Sequence, residues 1–385
     1  MDEAETDSLL GKLSEYDTAY RVIAKKVSEE VGLAVRAEKL PGIFLVEKKL
    51  RYYPEENLAA PVLGFTSEND TGELIGKYGL EGYLNKELSG RPGLTIGEKS
   101  AGGSWITFAD RTGIKAEVGP SVLLTIDRAL QNYACLRLSD GMKDYKAVSA
   151  ALVLMNPLNG HVLAMCSLPD FDPNNYSRID DLRVFNNTAI FTPYEPGSVF
   201  KPITMAAGLD LDLITPLTTY TDACLLEING HKIRNAEQKC YGKQNMTEVL
   251  EKSINTGVVW VEEKVGNERF YDYVKKFGFG DKTGIPLNSE TSGDISSLQK
   301  RGEIFGANGS FGQGLTVTPL QLASAYSAIA NDGKLMKPII IDEKRYVDGR
   351  REKTQSETVG QVISSDTSRQ LQSMLVSVVE NHYRA

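Results

Sequence analysis

The pattern of apolar and polar positions changes near residue 117. Before that point charged residues and turns are frequent, and apolar side chains recur at helical spacing over residues 15–31, which predicts a helix. Residues 42–47, Gly-Ile-Phe-Leu-Val-Glu, have the pattern of a short strand, and glycine-rich turns follow. The pattern therefore predicts a small mixed domain over residues 1–117.

Longer apolar runs follow and predict an α+β domain over residues 118–385. Residues 122–126 have a strand pattern, and Asp127 then stands where a helix N-cap would be. Two mostly apolar runs, residues 147–155 and 161–167, flank an Asn-Pro-Leu-Asn-Gly turn. Such an arrangement predicts a β-hairpin of buried strands.

Composition excludes some functions and leaves others open. The 385 residues include 43 Lys and Arg against 51 Asp and Glu, a formal net charge of −8. Because phosphate binding needs clustered positive charge, nucleic acid is not an expected partner. No run approaches the roughly 20 apolar residues that cross a bilayer.

The four cysteines and three histidines limit the metal and redox chemistry. No H-E-x-x-H pattern occurs, so a zincin is excluded. Asp222, Cys224, His231 and Cys240 lie in one segment and could bind zinc, although their spacing fits no strong pattern. In an oxidising compartment, Cys224 and Cys240 could instead form a disulfide.

The first candidate for catalysis is Ser198-Val-Phe-Lys201, which follows a Pro-Gly turn. Residues three apart share a helix face, so the Lys201 ammonium can reach the Ser198 hydroxyl. A serine is a poor nucleophile until a base takes its proton, and a lysine can be that base if burial lowers its pKa. The amide groups at a helix start can stabilise an oxyanion. The pattern therefore predicts acyl transfer.

Ser-x-x-Lys alone is weak evidence, because Ser297-Leu-Gln-Lys300 has the same spacing and the pattern of a surface helix. The context of Ser198 differs, since Ser253-Ile-Asn255 follows downstream. Ser253 could relay a proton to a leaving amine, and Asn255 could bind amide groups of a substrate. Together, the order, spacing and flanking residues favour a site at Ser198.

These motifs and several longer segments resemble those of class B penicillin-binding proteins, which are monofunctional peptidoglycan D,D-transpeptidases. The signature triplets of penicillin-binding proteins are S-x-x-K, S-D-N and K-T-G. The resemblance covers roughly residues 40 to 385, through RYYPEENLAAPVLGF from Arg51, GKYGLEGYLN from Gly76, LTID from Leu124, PDFDPN from Pro169, YEPGS from Tyr194, FGFG from Phe277, GQG from Gly312 and VTPLQ from Val317.

The resemblance implies an α+β penicillin-binding-protein transpeptidase fold, an antiparallel sheet flanked by helices, with a smaller N-terminal pedestal or dimerisation domain. It also implies that Lys282-Thr-Gly284 is not the third motif, because this triplet lies only 27 residues past Asn255. The family's K-T-G stands on a strand after the helix predicted for residues 365–380. The alternative, that Lys282 belongs to the site of a smaller domain, lacks the pattern of a buried strand.

On this interpretation the chain stops about fifteen residues before the third motif. We therefore expect weak or absent acylation by the 385-residue fragment. The family's membrane helix is expected upstream of residue 1 and would anchor the enzyme at the extracytoplasmic face of the bacterial cytoplasmic membrane.

The resemblance implies a serine acyl-enzyme without a metal or organic cofactor. Ser198 would attack the penultimate D-Ala carbonyl of a stem peptide, Lys201 would accept its proton, and Ser253 and Asn255 would serve as proposed above. The implied partners are peptidoglycan stem peptides, β-lactams, which would acylate Ser198, and a glycosyltransferase of the elongation or division complex. Two alternatives remain. The first is a β-lactamase or β-lactam sensor, against which the pedestal domain argues because such proteins need none. The second is a non-catalytic cell-wall scaffold, against which the intact set of site residues argues.

Overall fold

The computed structural model describes Gly11 and residues 22–24, 27–46, 48, 50–70, 72–91, 94–96, 112–114 and 117–382. Contacts divide the chain into two compact units, Met1–Leu50 and Arg51–Ala385. No helix among the described residues is long and apolar enough to cross a membrane.

In the first unit, helix α1 spans Glu29–Ala37. Ser28 caps it, because its side chain accepts a hydrogen bond from the Val31 amide at 3.3 Å. The helix predicted for residues 15–31 is therefore wrong in its bounds: residues 22–24 and 27–28 are not helical, and 15–21 and 25–26 lie outside the described residues.

The strand predicted for residues 42–47 is also wrong over its described part. Residue 42 belongs to a turn, residues 43–46 have no regular secondary structure, and residue 47 lies outside the described residues. No strand among the described residues pairs with this segment. Phe44, the central apolar residue of this run, is 82% exposed. An apolar run does not become a strand unless another segment satisfies its backbone groups.

The second unit contains twelve further described helices and all the described strands. The helices are α2 Ala60–Leu63, α3 Gly79–Tyr83, α4 Asn85–Leu88, α5 Arg128–Asp144, α6 Thr188–Phe191, α7 Lys201–Asp210, α8 Met246–Glu251, α9 Asn255–Val265, α10 Asn267–Lys276, α11 Glu303–Ser310, α12 Pro319–Ala330 and α13 Ser365–His382. The strands are β1 Phe65–Glu68, β2 Leu74–Lys77, β3 Leu94–Ile96, β4 Thr112–Ile114, β5 Ser121–Leu124, β6 Ala150–Met155, β7 Val162–Leu168, β8 Thr219–Thr221, β9 Leu225–Ile228, β10 His231–Arg234, β11 Lys243–Asn245, β12 Lys334–Met336, β13 Ile341–Arg345, β14 Arg351–Lys353 and β15 Thr358–Gln361.

The described strands pair antiparallel throughout. The pairs are β1–β2, β3–β4, β6–β7, β8–β11, β9–β10 and β12–β15, and β13 lies between β14 and β5. The predicted hairpin is confirmed as β6–β7, with Leu152 opposite Cys166. The prediction that both strands are buried holds for most of β7 but is wrong for β6, in which every residue is at least partly exposed. Asp127 is confirmed as the N-cap of α5, since its side chain accepts hydrogen bonds from the amides of Ala129 and Leu130, each at 2.9 Å.

Helix α7 belongs to the largest hydrophobic cluster of the described residues. Every residue of this helix from Lys201 to Leu209 is buried, including Ile203 and Met205. A helix that is apolar on all sides is one that the core surrounds. Lys201, the first residue of this helix, is therefore buried together with the apolar residues that follow it.

Two disulfides lie in the second unit. Cys135 of α5 is joined to Cys166 of β7, a pair that the sequence did not predict. Cys224 is joined to Cys240, so these two residues take the second of the two arrangements considered above. The segment between Cys224 and Cys240 contains β9 and β10, and this bridge joins its two ends.

Candidate active site

Ser198 and Lys201 lie on one continuous helical segment. Residues Gly197–Phe200 form a 3₁₀ turn that runs directly into α7. Ser198 is exposed, whereas Lys201 is only 2% exposed. The candidate nucleophile is thus open to a substrate, and the candidate base approaches it from inside the core.

The Lys201 side chain binds Ser253. Its Nζ donates hydrogen bonds to Ser253 Oγ at 2.8 Å and to the Ser253 carbonyl oxygen. Burial lowers the pKa of Lys201 to about 7, because the protein interior disfavours the charged form. A neutral amine has two N–H donors, which these two acceptors use, and it keeps a lone pair that can accept a proton.

Ser253 and Asn255 lie at the junction of α8 and α9. Ser253 has a φ of +52°, a left-handed conformation that is uncommon outside glycine and that is found often at functional sites. Asn255 is the first residue of α9, and its Nδ2 donates to the Arg234 carbonyl oxygen at 2.8 Å. The structure thus joins Lys201 to Ser253 directly. Within the described residues, no hydrogen bond links the Asn255 or Ser198 side chain to the other proposed site residues.

The Gly312-Gln-Gly314 segment supports the turn before Ser198. The Gly197 amide donates to the Gly312 carbonyl oxygen at 3.0 Å. A Cβ atom on Gly312 would lie 2.2 Å from the Gly197 carbonyl oxygen, so only glycine permits this approach. The Gly314 amide donates to Glu195 Oε1 at 2.9 Å, which makes Glu195 part of the same support.

The Lys282-Thr-Gly284 triplet lies in a loop rather than on a strand. The amides of Thr283 and Gly284 donate to the buried carboxylate of Glu290 at 2.7 and 3.1 Å. These backbone groups are therefore engaged by Glu290. This location is consistent with the prediction that the triplet is not the third motif.

Asp222 takes part in a network that the sequence did not predict. Considered above as a zinc ligand, it is buried and accepts hydrogen bonds from Thr256 and Asn235 instead. No group of three or more metal-ligating side chains is found in the described part of the chain. No short sequence pattern could have predicted this contact, because Asp222 and Thr256 are 34 positions apart.

Comparisons with known proteins place the chain in a family. The family model of the penicillin binding protein transpeptidase domain matches residues 150–385, and that of the penicillin-binding protein dimerisation domain matches residues 2–122. The chain therefore belongs to the penicillin-binding protein transpeptidase family. This confirms the resemblance inferred from the motifs.

Individual relatives agree with this assignment. Stage V sporulation protein D of Bacillus subtilis is 34% identical over 360 residues, which are 92% of this chain and 55% of that protein. Peptidoglycan D,D-transpeptidase FtsI of Escherichia coli K12 is 33% identical over 319 residues, which are 83% of this chain and 52% of that protein. The chain spans about half the length of these curated relatives.

A solved structure confirms the expected fold. Penicillin binding protein 3 of Mycobacterium tuberculosis, in its complex with ampicillin, matches with a TM-score of 0.75 and 31% identity. The match covers 86% of this chain and 69% of that one. The α+β transpeptidase fold that the motifs implied is therefore the fold of this chain.

Proposed function

We propose that this chain forms the serine acyl-transfer site of a peptidoglycan D,D-transpeptidase, with Ser198 as the nucleophile and Lys201 as its base. The proposal rests on the environment of the Lys201 side chain. It is buried, its pKa lies at about 7, and its two hydrogen-bonding groups on Ser253 are both uncharged. A surface lysine would be protonated at neutral pH and could not accept the serine proton.

The first half of the reaction would form an acyl-enzyme. Ser198 Oγ attacks the carbonyl carbon of the penultimate D-Ala, and its proton passes to Lys201 Nζ. Amide groups at the start of the helical segment stabilise the oxyanion of the tetrahedral intermediate. The C–N bond then breaks, and the departing D-Ala takes its proton from Lys201 through Ser253 Oγ. Lys201 Nζ lies 2.8 Å from Ser253 Oγ.

The second half would release the product. An amine of a neighbouring stem peptide attacks the ester carbonyl and loses its proton to Lys201 through Ser253. The C–O bond to Ser198 then breaks, and Lys201 returns the proton to Ser198 Oγ, which restores the free serine. Asn255 binds amide groups of the stem peptide during both halves. β-Lactams would acylate Ser198 in place of the natural substrate.

The two disulfides support an oxidising compartment, as expected at the extracytoplasmic face of the cytoplasmic membrane. There the enzyme would act with a glycosyltransferase of the elongation or division complex on peptidoglycan strands. In this scheme residues 118–385 carry the chemistry and residues 1–117 form the pedestal domain.

The test is labelling by a fluorescent penicillin, on the protein at its full natural length. We expect covalent labelling of the wild type, complete loss in Ser198→Ala and unchanged labelling in the matched control Ser297→Ala, which alters the second Ser-x-x-Lys copy. Labelling that persists in Ser198→Ala would refute the site. Rapid, repeated turnover of nitrocefin would instead support a β-lactamase.

A further inference from the structure

Asp222 follows β8 and is 6% exposed. Its Oδ1 accepts hydrogen bonds from Thr256 Oγ1 at 2.6 Å and from the Cys224 amide at 2.9 Å. Its Oδ2 accepts from Asn235 Nδ2 at 2.9 Å and from the Tyr241 amide at 2.8 Å. A carboxylate has about four acceptor positions, so this one is fully used. Burial by itself raises the pKa of Asp222, but these hydrogen bonds outweigh it and hold the pKa below its ordinary value.

One of these contacts reaches the start of helix α9. Thr256 is the second residue of that helix and directly follows Asn255. Ile254, at the N-cap position, has no side-chain acceptor for the first amides of the helix. Asn235 supplies it, because its Oδ1 accepts from the Thr256 amide at 3.1 Å while its Nδ2 is held by Asp222. Asn235 therefore caps α9 from a separate segment, and Asp222 holds both the capping Asn235 side chain and the Thr256 hydroxyl.

The same segment also holds Asn255. The carbonyl oxygen that accepts from Asn255 Nδ2 belongs to Arg234, the residue before Asn235. Two residues before Asn255, Ser253 keeps its left-handed conformation and binds Lys201. Ser253 and Asn255 thus both lie next to the helix start that Asp222 fixes, and a shift of this start would displace both.

We propose that Asp222 is a positioning residue for acyl transfer, acting through Thr256 and Asn235 to orient Ser253 and Asn255. The inference rests on the function proposed above, since it concerns the same site. Asp222 touches no reacting atom. Its contribution is to hold Ser253, which relays the proton, and Asn255, which binds amide groups of the substrate, in position relative to Lys201.

The main variant is Thr256→Val, which keeps the volume of the side chain and removes the donor to Asp222. On the protein at full natural length, we expect the rate constant of acylation by a fluorescent penicillin to fall about 10- to 100-fold, because small displacements of catalytic groups have effects of this size. Asp222→Asn should lower it at least as much, since an amide NH₂ cannot accept hydrogen bonds from the donors that surround it. Thr256→Ser keeps the hydroxyl and should restore the wild-type rate.

The matched control is Asp210→Asn. Asp210 also accepts several hydrogen bonds, from Tyr273 Oη at 2.7 Å, the Ser364 amide at 2.7 Å and Thr367 Oγ1 at 2.9 Å. It joins the end of α7 to the start of α13, and none of its hydrogen bonds goes to a proposed site residue. We expect this variant to lose stability while its acylation rate per folded molecule stays unchanged.

Rates are compared per folded molecule, and saturation kinetics separate the acylation step from the prior binding step. If Asp222→Asn does not fold, Thr256→Val decides. A wild-type acylation rate in Thr256→Val would overturn the positioning role. Absence of labelling in the wild type would instead overturn the proposed function, so the two failures are distinguishable.

Discussion

Ser198-Val-Phe-Lys201 and Ser297-Leu-Gln-Lys300 have the same spacing of serine and lysine, and each serine lies in a 3₁₀ turn. After Lys201 the chain continues as the buried helix α7. At Lys300 the backbone turns to an extended conformation, with φ −74° and ψ 148°. Lys201 is 2% exposed, whereas Lys300 is exposed, with its Nζ 5.5 Å from the centre of the Phe305 ring.

The difference between the two copies arises outside the four-residue span of the pattern. The first copy is followed by Pro-Ile-Thr-Met-Ala-Ala-Gly-Leu, which the core surrounds on all sides. Burial then lowers the pKa of Lys201, and Ser253 accepts hydrogen bonds from its amine. The second copy has no helix directly after it, and its lysine is exposed to solvent. The chemistry of the pattern therefore depends on the burial of its lysine.

The strongest test of this comparison exchanges each lysine for methionine, which keeps most of the side-chain length without the amine. Removal of a general base typically slows a reaction about 10²- to 10⁴-fold, so Lys201→Met should lose about 10²- to 10⁴-fold in acylation rate by fluorescent penicillin. Lys300→Met should acylate at the wild-type rate. Equal effects of the two changes would show that burial does not distinguish the copies.

The pH dependence of acylation sharpens the same comparison. With a pKa of about 7, Lys201 is mostly neutral above pH 7 and becomes protonated as the pH falls. Since only the neutral amine accepts the Ser198 proton, the acylation rate should be level above pH 7 and fall about tenfold for each pH unit below it. The profile is measured with a penicillin that does not titrate in this range. A rate that rises down to pH 5 would rule out Lys201 as the base.

Local signals in the sequence account for the parts of the fold that were predicted. The β6–β7 hairpin and the Asp127 cap depend on neighbouring residues, and both are confirmed. The helix predicted for residues 15–31 is wrong in its bounds over the described residues, because Ser28, inside the predicted span, caps a helix that begins at Glu29. A local capping residue overrode the apolar periodicity there.

Long-range contacts account for what the sequence could not predict. The Cys135–Cys166 bridge joins a helix to a strand, and the Asp222–Thr256 contact joins two segments that no pattern relates. The motifs named Ser198, Lys201, Ser253 and Asn255, but the 2.8 Å contact between Lys201 and Ser253 depends on how α7 packs beside the α8–α9 junction. The motifs therefore give the candidate residues, and the packing of the core sets their geometry.

A smaller effect is expected at the Gly312-Gln-Gly314 segment, which supports the turn before Ser198. Gly312 and Gly314 both have a positive φ, +79° and +74°. A Cβ on Gly312 would meet the Gly197 backbone at 2.2 Å, whereas one on Gly314 would meet nothing within 4 Å. Gly314→Ala should therefore cost about 1 kcal/mol of unfolding free energy from the left-handed conformation alone. Gly312→Ala should cost at least about 3 kcal/mol, because it adds a steric clash with backbone.

Urea unfolding of the two variants measures this difference, and acylation per folded molecule shows whether it reaches Ser198. We expect Gly312→Ala to acylate about tenfold more slowly, because the backbone that moves immediately precedes the nucleophile. Gly314→Ala should keep the wild-type rate, since its Cβ points into open space. If Gly312→Ala and Gly314→Ala have the same unfolding free energy, the close approach of Gly312 to Gly197 does not fix the position of Ser198. The burial of α7 alone must then account for that position.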